Sequence, residues 1–259
     1  HEDCRRQRQM CIRDRLNTSA IYGFMNSLLD LFKREKPQYI AVCFDKGGSV
    51  SRSDIFPDYK ANRLETPEAI TLGIPYIKAI LNAMDIPSIE LEGYEADDII
   101  GTLAKKAEKD GFNVFMVTPD KDFAQLVTKN IFIYRPARMG NDVEIMGIEE
   151  VNKKFEIENP KQVIDYLGMV GDSVDNIPGL QGVGDKTAKK FIKEFGSIEN
   201  LLENTNKIKG KLREKIEANK GLGLLSKKLA RIILDVPVEF ERTKFKLEHP
   251  DFDLSLIHI

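Results

Sequence analysis

The chain has 259 residues, and its 39 basic and 41 acidic side chains leave a formal charge of −2; an apolar share of 42% beside 31% charged suits a globular core and excludes a disordered tail or a fibre. No run of about 18 apolar residues occurs and no signal-like run opens the chain, which excludes an integral membrane helix and makes the cytoplasm the default expectation. Cys4, Cys11 and Cys43 offer neither a disulfide framework nor a zinc knuckle, so any metal is expected on oxygen ligands.

Residues 1–15 (HEDCRRQRQMCIRDR) carry five arginines and no lysine, against eight arginines and 26 lysines in the rest. This segment is expected to be foreign to the fold, as is the tail 254–259. From Thr18 to Phe32 the apolar residues Ile21, Phe24, Met25, Leu28, Leu29 and Phe32 recur at helical spacing, and Pro37 follows as a stop. Tyr39 to Phe44 reads as a buried parallel strand ending at Asp45. A polar stretch from Ser49 to Thr66 leads into a helix through Ile74, Ile77, Ile80, Leu81 and Met84. A short strand, Ile89 to Leu91, is followed by the acidic turn Gly93-Tyr94-Glu95-Ala96-Asp97-Asp98 and a helix to Lys109. Val114 to Val117 is a further buried strand, closing on Thr118-Pro119-Asp120-Lys121-Asp122, and Ile131 to Tyr134 is another.

This alternation predicts an α/β fold, with a mostly parallel central sheet flanked by helices, over residues 16–147. Beyond Gly147 the strand signal stops, and short lysine-rich helices punctuated by glycine predict a helical subdomain over 148–253. Charge divides in the same direction. Asp85 to Asp122 holds ten acidic residues against four basic, and Gln181 to Arg231 holds thirteen basic against six acidic. The first stretch repels phosphates and the second attracts them.

In open α/β sheets functional residues gather beyond the carboxyl ends of the strands, which is where Asp45, the Glu95/Asp97/Asp98 group and the Asp120/Asp122 pair fall. Crowded carboxylates repel unless a cation lies between them, and hard divalent ions prefer oxygen. A two-ion site for phosphodiester hydrolysis requires carboxylates in this number and no nucleophilic side chain. Taken singly, Asp97 or Asp98 also suits a helix cap. Gly171-Asp172-Ser173-Val174-Asp175-Asn176 adds two acids, in a segment that also reads as a plain turn. Gly182-Val183-Gly184-Asp185-Lys186-Thr187-Ala188 then places two glycines before a basic helix. That arrangement lets backbone N–H groups approach a phosphate, while Lys186, Lys189 and Lys190 add charge without reading base sequence.

In order, Phe44-Asp45-Lys46, Tyr59-Lys60-Ala61-Asn62-Arg63 and the four later motifs just quoted resemble the 5′ nuclease domain of bacterial DNA polymerase I, in the flap endonuclease superfamily. The resemblance spans about Leu16 to Asp253. It implies a PIN/flap-nuclease-like fold with a helix-hairpin-helix subdomain, and 5′→3′ exonuclease and 5′-flap endonuclease activity. It also implies two Mg2+ or Mn2+ ions, K+ at the hairpin, and DNA partners: flaps, nicked or gapped duplex and RNA-primer ends, acted on in primer removal and repair. By this resemblance Asp45, Glu95 and Asp97 are first-site or bridging ligands, Asp120, Asp122 and Asp175 serve the second ion, and Asp98 and Asp172 act nearby through water. Tyr59, Lys60 and Arg63 match the arch over the scissile phosphate, with Lys60 and Arg63 catalytic. Gly182, Gly184, Lys186, Thr187, Lys189 and Lys190 match the duplex-backbone contact.

Family members open with a Leu-Asp-Gly/Ala strand whose aspartate binds the first ion, and His1 to Arg15 does not match it. The chain is therefore expected to be an internal fragment of a longer polymerase, found in the cytoplasm at the nucleoid. Two other readings use the same motifs: a DNA-binding fragment with impaired cleavage, and a small metal-dependent ribonuclease. The long helical tail with its hairpin argues against the second.

Overall fold

The computed structural model describes residues 17–136 and 142–247, so the expectations for 1–15 and 254–259 lie outside the described residues. In chain order the elements are α1 (Ser19–Glu35), β1 (Val42–Cys43), α2 (Val50–Ile55), α3 (Glu68–Ala83), β2 (Ser88–Ile89), α4 (Ala96–Lys109) and β3 (Val114–Val117). A 3-10 turn (Asp122–Leu126), β4 (Ile131–Arg135), β5 (Glu144–Met146), α5 (Ile148–Phe155) and α6 (Val163–Val170) follow. The chain then continues through α7 (Asp185–Phe195), α8 (Ile198–Glu203), α9 (Lys211–Ala218), α10 (Lys220–Leu229) and α11 (Arg242–Phe245).

These elements form two compact units that do not follow chain order: residues 17–44, 64–90 and 239–247 make one, and 45–63, 91–136 and 142–238 the other. In the first, the apolar stripe of α1 buries Leu28 and Phe32 in a cluster with Ile77 and Leu81 of α3, Ile86 and Leu247. β1 and β2 pair in parallel, Val42 opposite Ser88 and Cys43 opposite Ile89, and Phe44 N–H donates to Ile89 O at 2.8 Å. The chain after α11 returns beside the approach to β1, with Leu247 N–H donating to Gln38 O at 2.9 Å.

In the second unit β3 and β4 pair in parallel from Val114–Ile131 to Val117–Tyr134. β5 adds an antiparallel strand with Ile133 opposite Met146, which the sequence reading did not contain. The α/β character and the parallel pairings match expectation; among the described residues the strands form two small sheets, β1–β2 and β3–β4–β5. The apolar face of α4 (Ile99, Leu103, Ala104, Ala107) is buried. One continuous core runs from Met116, Ile131 and Ile133 through Phe123 to Val151, Val163, Met169 and Phe191. The expected boundary at 147/148 therefore falls inside this core rather than in a gap. α2, also absent from the sequence reading, has too few apolar residues for a period and is started by its cap: Ser49 Oγ accepts from Arg52 N–H at 3.4 Å.

The loop carrying Asp172 and Asp175 is closed by backbone alone. Asp172 and Ile177 exchange N–H···O bonds of 2.9 and 2.7 Å. Gly171 lies at φ 72°, ψ −175°, a region open essentially to glycine, and a Cβ there would stand 2.4 Å from Ile177 O. Gly171→Ala is expected to cost about 2–4 kcal/mol in urea unfolding, from backbone strain plus overlap. A loss below about 0.5 kcal/mol, the scatter of neutral surface changes, would show that the loop can relax.

Candidate metal centre

Every acid singled out in the sequence belongs to the second unit. Asp45 follows β1 in the chain, and its Oδ1 accepts from Ala96 N–H at 2.8 Å, capping α4 from a distant segment. α4 opens with a capping box in which Asp98 accepts from Glu95 N–H at 3.3 Å. Asp120 and Asp122 lie beyond β3, with Asp120 Oδ1 accepting from Asp122 N–H at 2.9 Å. Asp172 Oδ1 accepts from Val174 N–H at 2.8 Å, and its Oδ2 lies 3.3 Å from Lys121 Nζ.

The charges of these groups bear on one another. Burial, then Asp120, Glu95 and Asp45, push Asp97 up to about 7. Burial, then Asp120, push Asp122 up to about 7; Lys121 opposes them, and Asp172 and Asp175 add smaller upward effects. Asp120 thus acts on both groups, which joins the acids of α4 to those of the strand end and the 171–179 loop. Asp122 Oδ1 is also buried without a hydrogen-bond partner.

Basic side chains fill the spaces between the acids. Glu95, only 3% exposed, holds Lys60 Nζ at 2.7 Å through Oε1 and accepts from Tyr59 OH at 3.2 Å through Oε2. Arg63 grips Asp175 Oδ1 with Nε at 2.8 Å and Nη2 at 2.7 Å. Lys60 takes a left-handed backbone, φ 60°, and its N–H donates to Asp175 O at 2.9 Å. A long side chain holds that conformation only where its surroundings impose it. Burial and Glu95 together keep the Tyr59 hydroxyl firmly protonated, so it acts as a donor.

Among the described residues, no three acidic, histidine or cysteine side chains stand within reach of a single ion. The donor set nevertheless suits a hard divalent cation: it is all oxygen, it includes the unpartnered Asp122 Oδ1, and burial together with neighbouring acids raises two of its members to about 7.

Asp98 differs from the other acids. It is fully buried, and its two oxygens accept from Arg52 at 2.8 Å each, from Ile233 N–H at 2.8 Å and from Glu95 N–H. Arg52 went unnoticed in the sequence. The available signal was an arginine in a lysine-rich chain, since a forked guanidinium is the side chain suited to a buried bidentate pair.

In the hairpin, Gly182 takes φ 85°, and Gly184 caps α7 with open space where a Cβ would stand. Thr187 N–H donates to Gly184 O at 3.0 Å within this turn. Lys186 and Lys190 are exposed, whereas Lys189 Nζ lies 3.1 Å from Asp185, whose other partner is Tyr166 OH at 2.8 Å.

The family models for the 5′-3′ exonuclease N-terminal resolvase-like domain and the 5′-3′ exonuclease C-terminal SAM fold match residues 4–156 and 158–253. A 5′-3′ exonuclease of Aquifex aeolicus is 44% identical over 236 residues, covering 91% of this chain and 79% of that protein. DNA polymerase I of Bacillus subtilis is 45% identical over 225 residues, covering 86% of this chain; the match spans only 26% of that protein. The bacteriophage T5 flap endonuclease, solved as a pseudo-enzyme-product complex with DNA and metal ions, superimposes with a TM-score of 0.68 at 23% identity, over 81% of this chain and 79% of that one. The fold is that of the flap nucleases. The chain belongs to the 5′-3′ exonuclease family.

Because Asp97 and Asp122 are raised to about 7 in the folded chain, from an ordinary aspartate value of 3.8, the folded chain binds more protons than the unfolded one between these limits. Without divalent ions, stability is therefore expected to fall as pH rises from about 4 to about 7. Melting in a chelator should show this slope, and millimolar Mg2+ should flatten it. A double variant, Asp97→Asn with Asp122→Asn, that keeps the wild-type slope would assign the effect to other groups.

Proposed function

We propose that this chain is a metal-dependent 5′→3′ exonuclease and 5′-flap endonuclease acting on DNA, and that it forms the nuclease part of a DNA polymerase I, at work in the bacterial cytoplasm on nicked or gapped duplex and RNA-primer ends. The observation that carries this reading is the all-oxygen set of acids in which Asp122 Oδ1 lies buried without a hydrogen-bond partner, and in which Asp120 raises both Asp97 and Asp122. The family membership supports the reaction class. The quarter-length match to the polymerase relatives supports the assignment to a longer protein.

Asp45, Glu95 and Asp97 would hold one ion and Asp120, Asp122 and Asp175 the other, with Asp172 acting through water. Mg2+ or Mn2+, when bound, supplies Lewis acidity at the scissile phosphate and generates a strong nucleophile from water at neutral pH. Lys60 and Arg63 neutralise Glu95 and Asp175 in the free protein, and in the complex they turn that charge toward the phosphate. Tyr59 keeps Glu95 oriented by donating to it. Gly182, Gly184, Thr187, Lys186 and Lys190 would take the duplex backbone at the start of α7, where K+ at the hairpin would add positive charge. Lys189 contributes less, since Asp185 holds its amine.

Two measurements test this reading. Asp122→Ala is expected to lower Mg2+-dependent cleavage of a 5′-flap oligonucleotide by about 100-fold or more, on the scale of losing a principal electrostatic contributor. It should also reduce the rise in melting temperature caused by Mn2+. Metal-independent cleavage by the wild-type chain would overturn the mechanism. For the hairpin, Lys186→Ala should weaken duplex binding equally across sequences and reduce the salt slope by about one charge, with a smaller effect from Lys189→Ala. A change in sequence preference would contradict backbone recognition.

A further inference from the structure

We infer that Arg52 and Asp98 are positioning residues for the carboxylate centre, clamping the first turn of α4 to the extended segment 229–238 so that Glu95 and Asp97 keep their place. The inference rests on the metal-dependent reading above and assigns Asp98 a role other than ligand.

A carboxylate has about four acceptor positions, and Asp98 uses four: two to Arg52, one to Ile233 N–H and one to Glu95 N–H. None is left for an ion or its water. Arg52, 5% exposed, is equally committed, donating from Nε to Leu229 O at 3.0 Å and from Nη2 to Arg231 O at 2.8 Å.

Beyond Leu229, the last residue of α10, the segment it grips has no helix or strand of its own, and side chains of α4 hold its backbone. Thr102 Oγ1 donates to Ile233 O and accepts from Val236 N–H, both at 3.3 Å, and Lys106 donates to Val238 O. Asp98, Thr102 and Lys106 are spaced by four residues and form one ridge of the helix. Gly101 admits the same segment, since a Cβ there would meet Ile232 at 2.7 Å and Leu234 at 3.0 Å.

The segment leaves α10 directly, and Ser226 of α10 accepts from Gly179 N–H at 2.8 Å at the foot of the Asp172/Asp175 loop. One buried charge pair thus links α4, which carries Glu95 and Asp97, to the helix that braces the loop carrying Asp175.

The test is Mn2+ binding by electron paramagnetic resonance on the whole chain, with fold checked by circular dichroism at the assay temperature. Arg52→Lys keeps the charge and loses the fork; Asp98→Asn keeps the shape and loses the charge. Each is expected to retain the wild-type number of bound ions and to weaken affinity about tenfold, as loss of an outer supporting partner does. The double variant should be little weaker than either single one, because both break the same clamp. By contrast, Asp97→Asn should multiply the effect of Asp98→Asn.

Loss of a bound ion in Asp98→Asn would make it a ligand and overturn the inference. So would wild-type affinity in Arg52→Lys. A wild-type chain that binds no Mn2+ would overturn the metal reading and this inference together. Should Arg52→Lys fail to fold, the ion count of Asp98→Asn decides alone.

Discussion

Asp97 and Asp122 titrate near neutrality because burial and a shared neighbour, Asp120, both oppose their charge, and much of the second unit can be understood as the means of holding such a cluster together. Like charges at this density are tolerated where cations or donors stand among them. The chain supplies both from its own sequence: Lys60 at Glu95, Arg63 at Asp175, Lys121 at Asp172 and the hydroxyl of Tyr59. Three of these four come from one five-residue stretch, Tyr59 to Arg63. Its conformation is fixed by the acids it serves, since Lys60 holds a left-handed backbone while its N–H bonds Asp175 O. The acids and the basic segment thus specify one another.

Backbone geometry rather than side-chain packing presents the later acids. Gly171 and Gly179 come so close to the facing backbone that a Cβ at either would lie within 2.7 Å of main-chain atoms. The loop between them can therefore close through the Asp172–Ile177 bridge and carry two carboxylates on a short, rigid turn. The earlier acids depend instead on strand ends and helix caps, and Asp45 capping α4 combines the two. Both devices place charge with little freedom of movement, which suits a site whose ligands must keep fixed separations.

Much of this was legible in the sequence where the signal is local. Val114 to Val117 is a β-rich run ending in acids, and α4 announces itself through the period of Ile99, Leu103 and Ala107. What was not legible depends on partners far away in the chain. Asp97 and Asp98 are adjacent and chemically identical, yet burial and neighbouring acids oppose the charge of one while the other is paired with an arginine 46 positions earlier. The segment 229–238 lacks periodicity because it is held by side chains of α4 and by Gln125 rather than by its own pattern. α2 and β5 are too short to show a period, and the division into compact units cuts across chain order.

The resident cations also bear on how the site acts on a phosphate. A lysine or arginine paired with a buried acid is not free to bind a phosphodiester, and an acid so paired is not free to hold an ion. Lys60, at 20% side-chain exposure, and Arg63, at 48%, reach solvent while paired with Glu95 and Asp175, so each has room to turn away from its acid. Arg52, almost fully enclosed and bonded to two backbone carbonyls, cannot leave Asp98 in that way. The basic residues therefore divide by burial into one that is a fixture and two that can exchange. Exchange needs something to take over the acids; on the proposed function a divalent ion would do so, while the released cations would meet the negative charge of the strand. Under that proposal, ion and polyanion would favour each other's binding by dividing between them the charges that Lys60 and Arg63 otherwise balance. Such coupling would originate in the 2.7 Å pairing of Glu95 with Lys60, which an ion at Glu95 would have to displace.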